Sequence, residues 1–230
     1  MERTQIHTQR WSGRGFGLIL GLIFTITLAA QPLAIRPFFH YTQTSIEGKS
    51  AYSGGLMVDW RFNDKIVLSL SGAYAQSTFS ITGGETKTQG GVVIYDNTWT
   101  IDIQEKLAPI DLSALVDVTK SETHNFFVGL GLGMSYSQIN YPRQAFVEQG
   151  ALIGTIDATN NVVQVNANVL IQYEYFINGW FNVFARIIER MPLGKQELLS
   201  IQVISPDDTR TISYESALIP SFIVGVGFVL

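Results

Sequence analysis

Eight charged side chains fall on one side of a period-two pattern: Asp59, Arg61, Asp111, Asp117, Glu174, Arg186, Arg190 and Glu215. Carboxylates and guanidiniums drawn together away from water must pair, because an isolated buried charge is far costlier than a hydrogen-bonded ion pair. The chemistry they suggest is electrostatic closure. Glu174 and Asp59 or Asp111 would neutralise Arg186 and Arg61, with Arg190 in the same network; the alternative is eight separately solvated charges. Catalysis has less to draw on. His7, His40 and His124 are the 3 histidines, and no two have metal-ligand spacing. With 0 cysteines there is no thiolate site or cysteine nucleophile. A hydrolytic Ser–His–acid set would have to gather near an outer rim, where the connecting segments carry no histidine. The run "GLGLG" at 129–133 lacks the GxGxxG spacing and strand-to-helix setting of a nucleotide loop; it reads as small residues crowding a narrow interior. No catalytic residue, cofactor or metal is assigned.

The elements that would position these charges are strands. In "NVVQVNANVLIQYEYF", Val163, Val165, Ala167, Val169, Ile171, Tyr173 and Tyr175 alternate with Gln164, Asn166, Asn168, Leu170, Gln172, Glu174 and Phe176. Successive side chains of a strand point to opposite faces, so one face is apolar and the other mostly polar. The same alternation recurs in "GLMVDWRF", "IVLSLSGAYAQS", "FFVGLGLGMSYSQ", "FNVFARIIER" and "SALIPSFIVGVGFVL", and no segment sustains a helical period. "IRPFFHYTQTSI" is placed as a first strand of ambiguous phase. In "WTIDIQEKLAPIDLSALVDV", Trp99, Ile101 and Ile103 share a phase that slips by one before Ile110, Leu112, Ala114, Val116 and Val118. That slip predicts a bulge or bend near Pro109. The total is eight strands. Their connections alternate between short turns ("NDK", "TKSETH", "ING") and long loops (82–97, 141–161 and 193–213). Three-residue hairpin loops at "NDK" and "ING" pair Phe62 with Ile66 and Phe176 with Trp180, and keep like faces together.

Composition decides which face meets water. Only 15% of the 230 residues are charged, against about 25% in ordinary soluble domains. A net charge of -4 without a basic run gives no footprint for nucleic acid. The polar faces carry Gly, Ser, Ala, Asn and Gln, small enough to fill an eight-stranded barrel. The apolar faces carry almost no charge, as lipid requires. Aromatics gather near strand ends: Trp60, Phe62, Tyr173, Tyr175, Phe181 and Phe228 toward the short turns, and Trp99 and Tyr136 toward the long loops. Two such girdles about 25 Å apart mark the interfaces of a membrane barrel. The expected fold is therefore all-β: an eight-stranded antiparallel up-and-down transmembrane barrel over residues 35–230, with valines facing lipid. Lipid offers no hydrogen-bond partner, so a sheet can cross it only when closed. Residues 1–34 have the layout of a secretory signal peptide. Arg3, Arg10 and Arg14 precede an uncharged apolar run at 15–30, and cleavage is expected after Ala30 or Ala34.

The segments "GLMVDWRFNDKIVLSLSGAYAQSTFSI", "KLAPIDLSALVDV", "FFVGLGLGMSYS" and "FIVGVGFVL" resemble the small porin-family outer-membrane β-barrel domain common in Bacteroidetes, similar in architecture to OmpA- and OmpX-type barrels. The resemblance implies the outer membrane of a Gram-negative cell. Its implied partners are outer-membrane lipid, lipopolysaccharide and the barrel-insertion machinery, with any extracellular partner unspecified. It carries over no catalytic residue. Barrels of this type usually end in an aromatic residue read during insertion, whereas this chain ends Phe228-Val229-Leu230. The function expected is a structural, envelope-maintenance or surface-binding role with a filled lumen. The alternatives are a narrow pore or translocation-associated barrel and, behind it, a lipid-modifying enzyme.

Overall fold

The computed structural model describes residues 33–230 apart from 45, 47–48, 90–91, 120, 122, 150 and 207–208, and over 85–97 it describes the backbone alone. The expected signal segment lies outside the described residues except for Leu33 and Ala34, which already belong to the first strand. Ten strands follow in order: β1 Leu33–Gln43, β2 Ser50–Arg61, β3 Ile66–Gln89, β4 Val92–Asp117, β5 His124–Glu148, β6 Ala151–Asn178, β7 Phe181–Pro192, β8 Glu197–Ile204, β9 Thr209–Glu215 and β10 Ile219–Val229. Eight of them form the wall. The ladder runs β4-β3-β2-β1-β10-β7-β6-β5, and β4 pairs with β5 to close it. Every stave-to-stave pairing is antiparallel. Closure leaves the membrane-level wall without an edge, which is the condition for crossing lipid.

The wall is turned inside out as its alternation requires. Leu56, Leu70, Leu112, Leu130, Leu132, Val165, Ile171, Ile187 and Phe222 are all exposed on its outside. Ser69, Ser71, Asp111, Ser113, Asn166, Asn168, Gln172 and Asn182 are buried inside it. A second set of inward residues, Phe38, Met57, Val67, Leu115, Phe127, Leu170, Phe184, Ile188 and Ile223, forms an apolar cluster that fills the remaining lumen. The glycine run serves the same packing. A side-chain carbon on Gly131 would lie 2.5 Å from the Leu112 carbonyl, and one on Gly133 would lie 2.3 Å from Asp111.

Three expectations about the strands are corrected. The long connections are not loops. β3, β4, β5 and β6 have 24, 26, 25 and 28 residues, about twice the 11 or 12 of β1, β2, β7 and β10. Residues 82–89, 92–97, 141–148 and 151–161 thus continue the staves as ribbons, and the extra strands β8 and β9 lie within 193–215. Secondly, there is no register slip at Pro109: β4 keeps one register against β3 from Ile66↔Val116 through Lys87↔Tyr95 and one against β5. The phase of apolarity changes there because the environment does. Ile101 and Ile103 point inward into a separate apolar core that includes Ile46, Phe79, Ile139, Ala145, Val147, Leu198, Leu199, Ile201 and Val203. Outside the membrane the ribbons bury their apolar face against one another, as a water-soluble sheet does. Thirdly, the "ING" hairpin is shifted. Asn178 pairs with Phe181 and Phe176 with Asn182, with an irregularity at Ile177 that restores the sidedness. The "NDK" hairpin has the expected register, with Trp60 opposite Leu68 and Val58 opposite Leu70.

Candidate functional site

The lumenal charges come together in two layers carried by different staves. The lower layer joins β1, β2, β3, β6 and β7. Arg36 Nε lies 2.8 Å from Asp59 Oδ2, and Arg36 Nη2 lies 2.7 Å from Glu174 Oε1. Arg186 Nη2 is 3.6 Å from Asp59 Oδ1 and donates to Ser69 Oγ at 2.9 Å, while its Nε donates to the Gln172 side chain. Gln172 in turn donates to Glu174, so a single amide links both ions. The Arg36 guanidinium also stacks over the Phe184 ring at 5.1 Å, which suits its planar, weakly hydrated cation. The second layer joins β4, β6, β7 and β10. Arg190 Nη2 meets Asp111 Oδ2 at 2.7 Å, its Nε reaches both Asp111 oxygens, and its Nη1 donates to Ser221 Oγ. Asn168 donates to Asp111 Oδ1 at 2.8 Å.

The partners differ in part from those expected. Arg36, on the strand of ambiguous phase, is the central cation of the lower layer and is absent from the expected network. The period-two phase of β1 becomes legible only once it is known that Pro37 and Phe39 face out while Arg36, Phe38 and His40 face in. Arg61 stands at the mouth nearest the short turns, facing the Asn125 side-chain amide at 3.1 Å, with no carboxylate partner among the described residues. With Arg36, Asp59, Asn125 and Glu174 it lines a cavity of about 290 Å³ there. Two others leave the lumen. Asp117 accepts from Thr119 at the turn, and Glu215 lies on β9, 3.3 Å from Lys195 in the open. Beside the second layer, His40, Phe38, Ser71, Pro109 and Ile223 pack closely around Asp111 and Arg190. His40 Nδ1 lies 3.0 Å from Ser53 Oγ.

The aromatic side chains occupy two levels. At the short-turn end Trp60 meets Phe62 edge-on at 5.8 Å, and Phe181 and Phe228 pack at 5.4 Å with Trp180 stacked on Phe228 at 6.4 Å. Tyr173 and Tyr175 are exposed beside them. At the other level Tyr41 and Tyr52 contact at 5.2 Å, and Tyr74 and Tyr136 face out. Trp99 is corrected: it is 5% exposed, belongs to the outer apolar core and covers Gly83, where any side-chain carbon would fall 2.1 Å from its ring. It points inward because β4 keeps a constant phase.

The lid over this lumen comes from the β8–β9 hairpin. It leaves the low side of the wall after β7, crosses the mouth, and pairs in parallel with β5 at Gln144↔Gln202 through Phe146↔Ile204. Leu198, Leu199, Ile201 and Val203 fill the mouth from above, and Asn160 donates to the Leu198 carbonyl at 2.7 Å.

The fold recurs in solved proteins. The outer membrane protein OprG from Pseudomonas aeruginosa superposes with a TM-score of 0.53 at 12% identity, covering 87% of this chain and 96% of that one. A major outer membrane protein from Thermus thermophilus gives 0.51 at 8% identity over 86% and 99%. The fold is that of the small outer-membrane β-barrels. No protein-family model and no curated protein matches the sequence.

Proposed function

We propose that this chain is an integral outer-membrane protein of a Gram-negative cell that holds its barrel closed and works through the β-structured surface it raises outside. One observation carries this reading. Ion-paired layers and apolar side chains fill the lumen and the β8–β9 hairpin covers it, while four staves continue beyond the lipid band as a folded platform. The exposed apolar wall is the surface that hydrocarbon would cover, and the shared fold with two outer-membrane proteins supports the same setting. The outer ribbon of β5 and β6 ends in Leu152, Ile153 and Ile156, all exposed. Apolar side chains displayed at a protruding tip suit contact with a partner.

The narrow-pore alternative has the charged layers in its favour, but the pairing of Arg36, Arg186 and Arg190 leaves them filling space and not lining a channel. The test has two arms. An epitope inserted between Glu148 and Ala151 should be labelled by antibody on intact cells, and refolded protein in a planar bilayer should show no unitary conductance steps. An epitope reached only after permeabilisation would sink the orientation, and steady single-channel currents would sink the closed lumen.

A further inference from the structure

The mouth nearest the short turns holds a charge imbalance with a space beside it. Arg36 is fully committed: its Nε meets Asp59, its Nη2 meets Glu174, and its Nη1 donates to Asn182 Oδ1 at 3.2 Å. Arg186 shares Asp59 and is completed by Gln172 and Ser69. Asp59 and Glu174 thus balance these two guanidiniums. Arg61 adds a third cation, half-buried, and among the described residues it meets no carboxylate. Asp117, at the same end, is taken by the Thr119 amide and hydroxyl. A guanidinium carries five N–H donors, and Asn125 Oδ1 accepts from Arg61 Nη2 alone, at 3.1 Å. The described mouth is one negative charge short.

The cavity of about 290 Å³ that Arg61 lines gives that charge room. Its volume matches about ten waters of the liquid, and so about ten non-hydrogen atoms. Its lining is of two kinds. Arg61, Ser121 and Asn125 are polar, whereas Ala34, Val67, Phe176 and Val229 offer hydrocarbon. Each kind fixes a property of the occupant. One unbalanced cation calls for one negative charge, and Asp59 and Glu174, which also line the cavity, make a dianion costlier than a monoanion. The planar guanidinium fork fits the paired oxygens of a carboxylate. The apolar side chains require a hydrocarbon part, which chloride and phosphate lack.

We propose that this cavity is a binding site for a small organic monocarboxylate, which enters from the side of the short turns. Its carboxylate pairs with Arg61, and its hydrocarbon lies against Ala34, Val67, Phe176 and Val229. A short fatty acid and the C-terminal residue of a peptide share this chemistry. Bound there, the anion brings the lower layer and Arg61 to neutrality. The site stands on the barrel interior alone; only its assignment to the periplasmic face rests on the orientation proposed above.

The test uses the full mature protein folded in detergent micelles. Affinity is read by titration calorimetry and location by the Arg61 side-chain N–H signals in NMR of arginine-labelled protein. The probes are hexanoate, N-acetyl-alanine, hexanamide and inorganic phosphate. Hexanoate or N-acetyl-alanine should bind saturably and shift the Arg61 signals; the tighter one identifies the source as a fatty acid or a peptide end. Arg61→Gln should weaken that probe at least about tenfold, the usual worth of hydrogen bonds to a charged group, and Arg61→Lys should restore part of the loss. Val67 is paired with Arg61 across β2 and β3, so Val67→Phe should fill the cavity and exclude hexanoate. Hexanamide or phosphate binding as tightly as the carboxylates would overturn the monoanion site, as would a carboxylate affinity untouched by Arg61→Gln. Binding that appears only in Glu122→Gln would also overturn it, because the chain would then supply the anion itself. Unheated gel migration of each sample keeps the readings apart. A folded, heat-shifted barrel that takes neither carboxylate overturns this site and leaves the membrane reading standing.

Discussion

Arg186 and Arg190 are among the largest fully buried side chains of the described residues, and each is held by a carboxylate on another stave. Removing one partner from such a pair leaves a bare charge in a dry interior, typically at a cost of about 3–5 kcal/mol. Arg186→Ala and Asp111→Ala should each lower the midpoint of heat-induced unfolding, followed as the loss of the fast-migrating gel band, by at least as much as a core truncation. Arg61→Ala, at the wet mouth, should shift it by less than about 1 kcal/mol. An unchanged midpoint for Arg186→Ala would show that the charges act singly. The inward phase of Asp59, Asp111, Glu174, Arg186 and Arg190 is legible in the alternation alone. Who pairs with whom is not, because pairing across a closed wall depends on shear, and no single strand reports shear. Arg36 escapes notice for a simpler reason: Phe38 and Phe39 are adjacent, so the apolar signal of β1 favours neither face.

At the scale of the strand, β4 does two jobs with one unbroken ladder. Its lower half puts Ile110, Leu112 and Val116 out and Asp111 and Ser113 in; its upper half puts Ile101, Ile103 and Trp99 in. The residue pattern contains both halves but offers no reason to join them, since inverted hydropathy in one medium looks like a slipped register. Trp99→Ala should empty the outer core at a cost of about 3–5 kcal/mol. Hydrogen exchange should then speed up in residues 76–82 and 98–103 and in β8, while the amides of 110–116 stay protected; equal loosening of 110–116 would mean that the two halves are one cooperative unit. β1 bears on processing as well. Leu33 is already paired with Trp60, and its carbonyl accepts from the Leu230 amide at 2.8 Å. Cleavage after Ala34 would cut into the first stave, so N-terminal sequencing of the mature protein should find Gln31 first.

For the whole molecule, closure occurs at two depths that share no residues. Deleting the β8–β9 hairpin should expose the outer core to water and to protease yet still give no conductance in a planar bilayer, because the Arg190–Asp111 layer lies beneath it. Current appearing on that deletion alone would make the hairpin the only seal. The barrel class, its sidedness and its filled interior can all be seen in the residues. The tall half-wall cannot, because polar ribbons such as 151–161 carry the composition of a loop and gain strand structure only from the partner opposite.

The switch of greasy side along β4 makes the water line a matter of parity. Removing one residue between Gln104 and Pro109 would rotate the part of β4 above by half a turn, presenting Ile101 and Ile103 to water and Thr100 and Asp102 to the cap. Removing two would shorten the wall and keep every side chain facing its own medium. Single-residue deletions in this short span should therefore abolish assembly where double deletions survive, although the larger lesion takes away more protein.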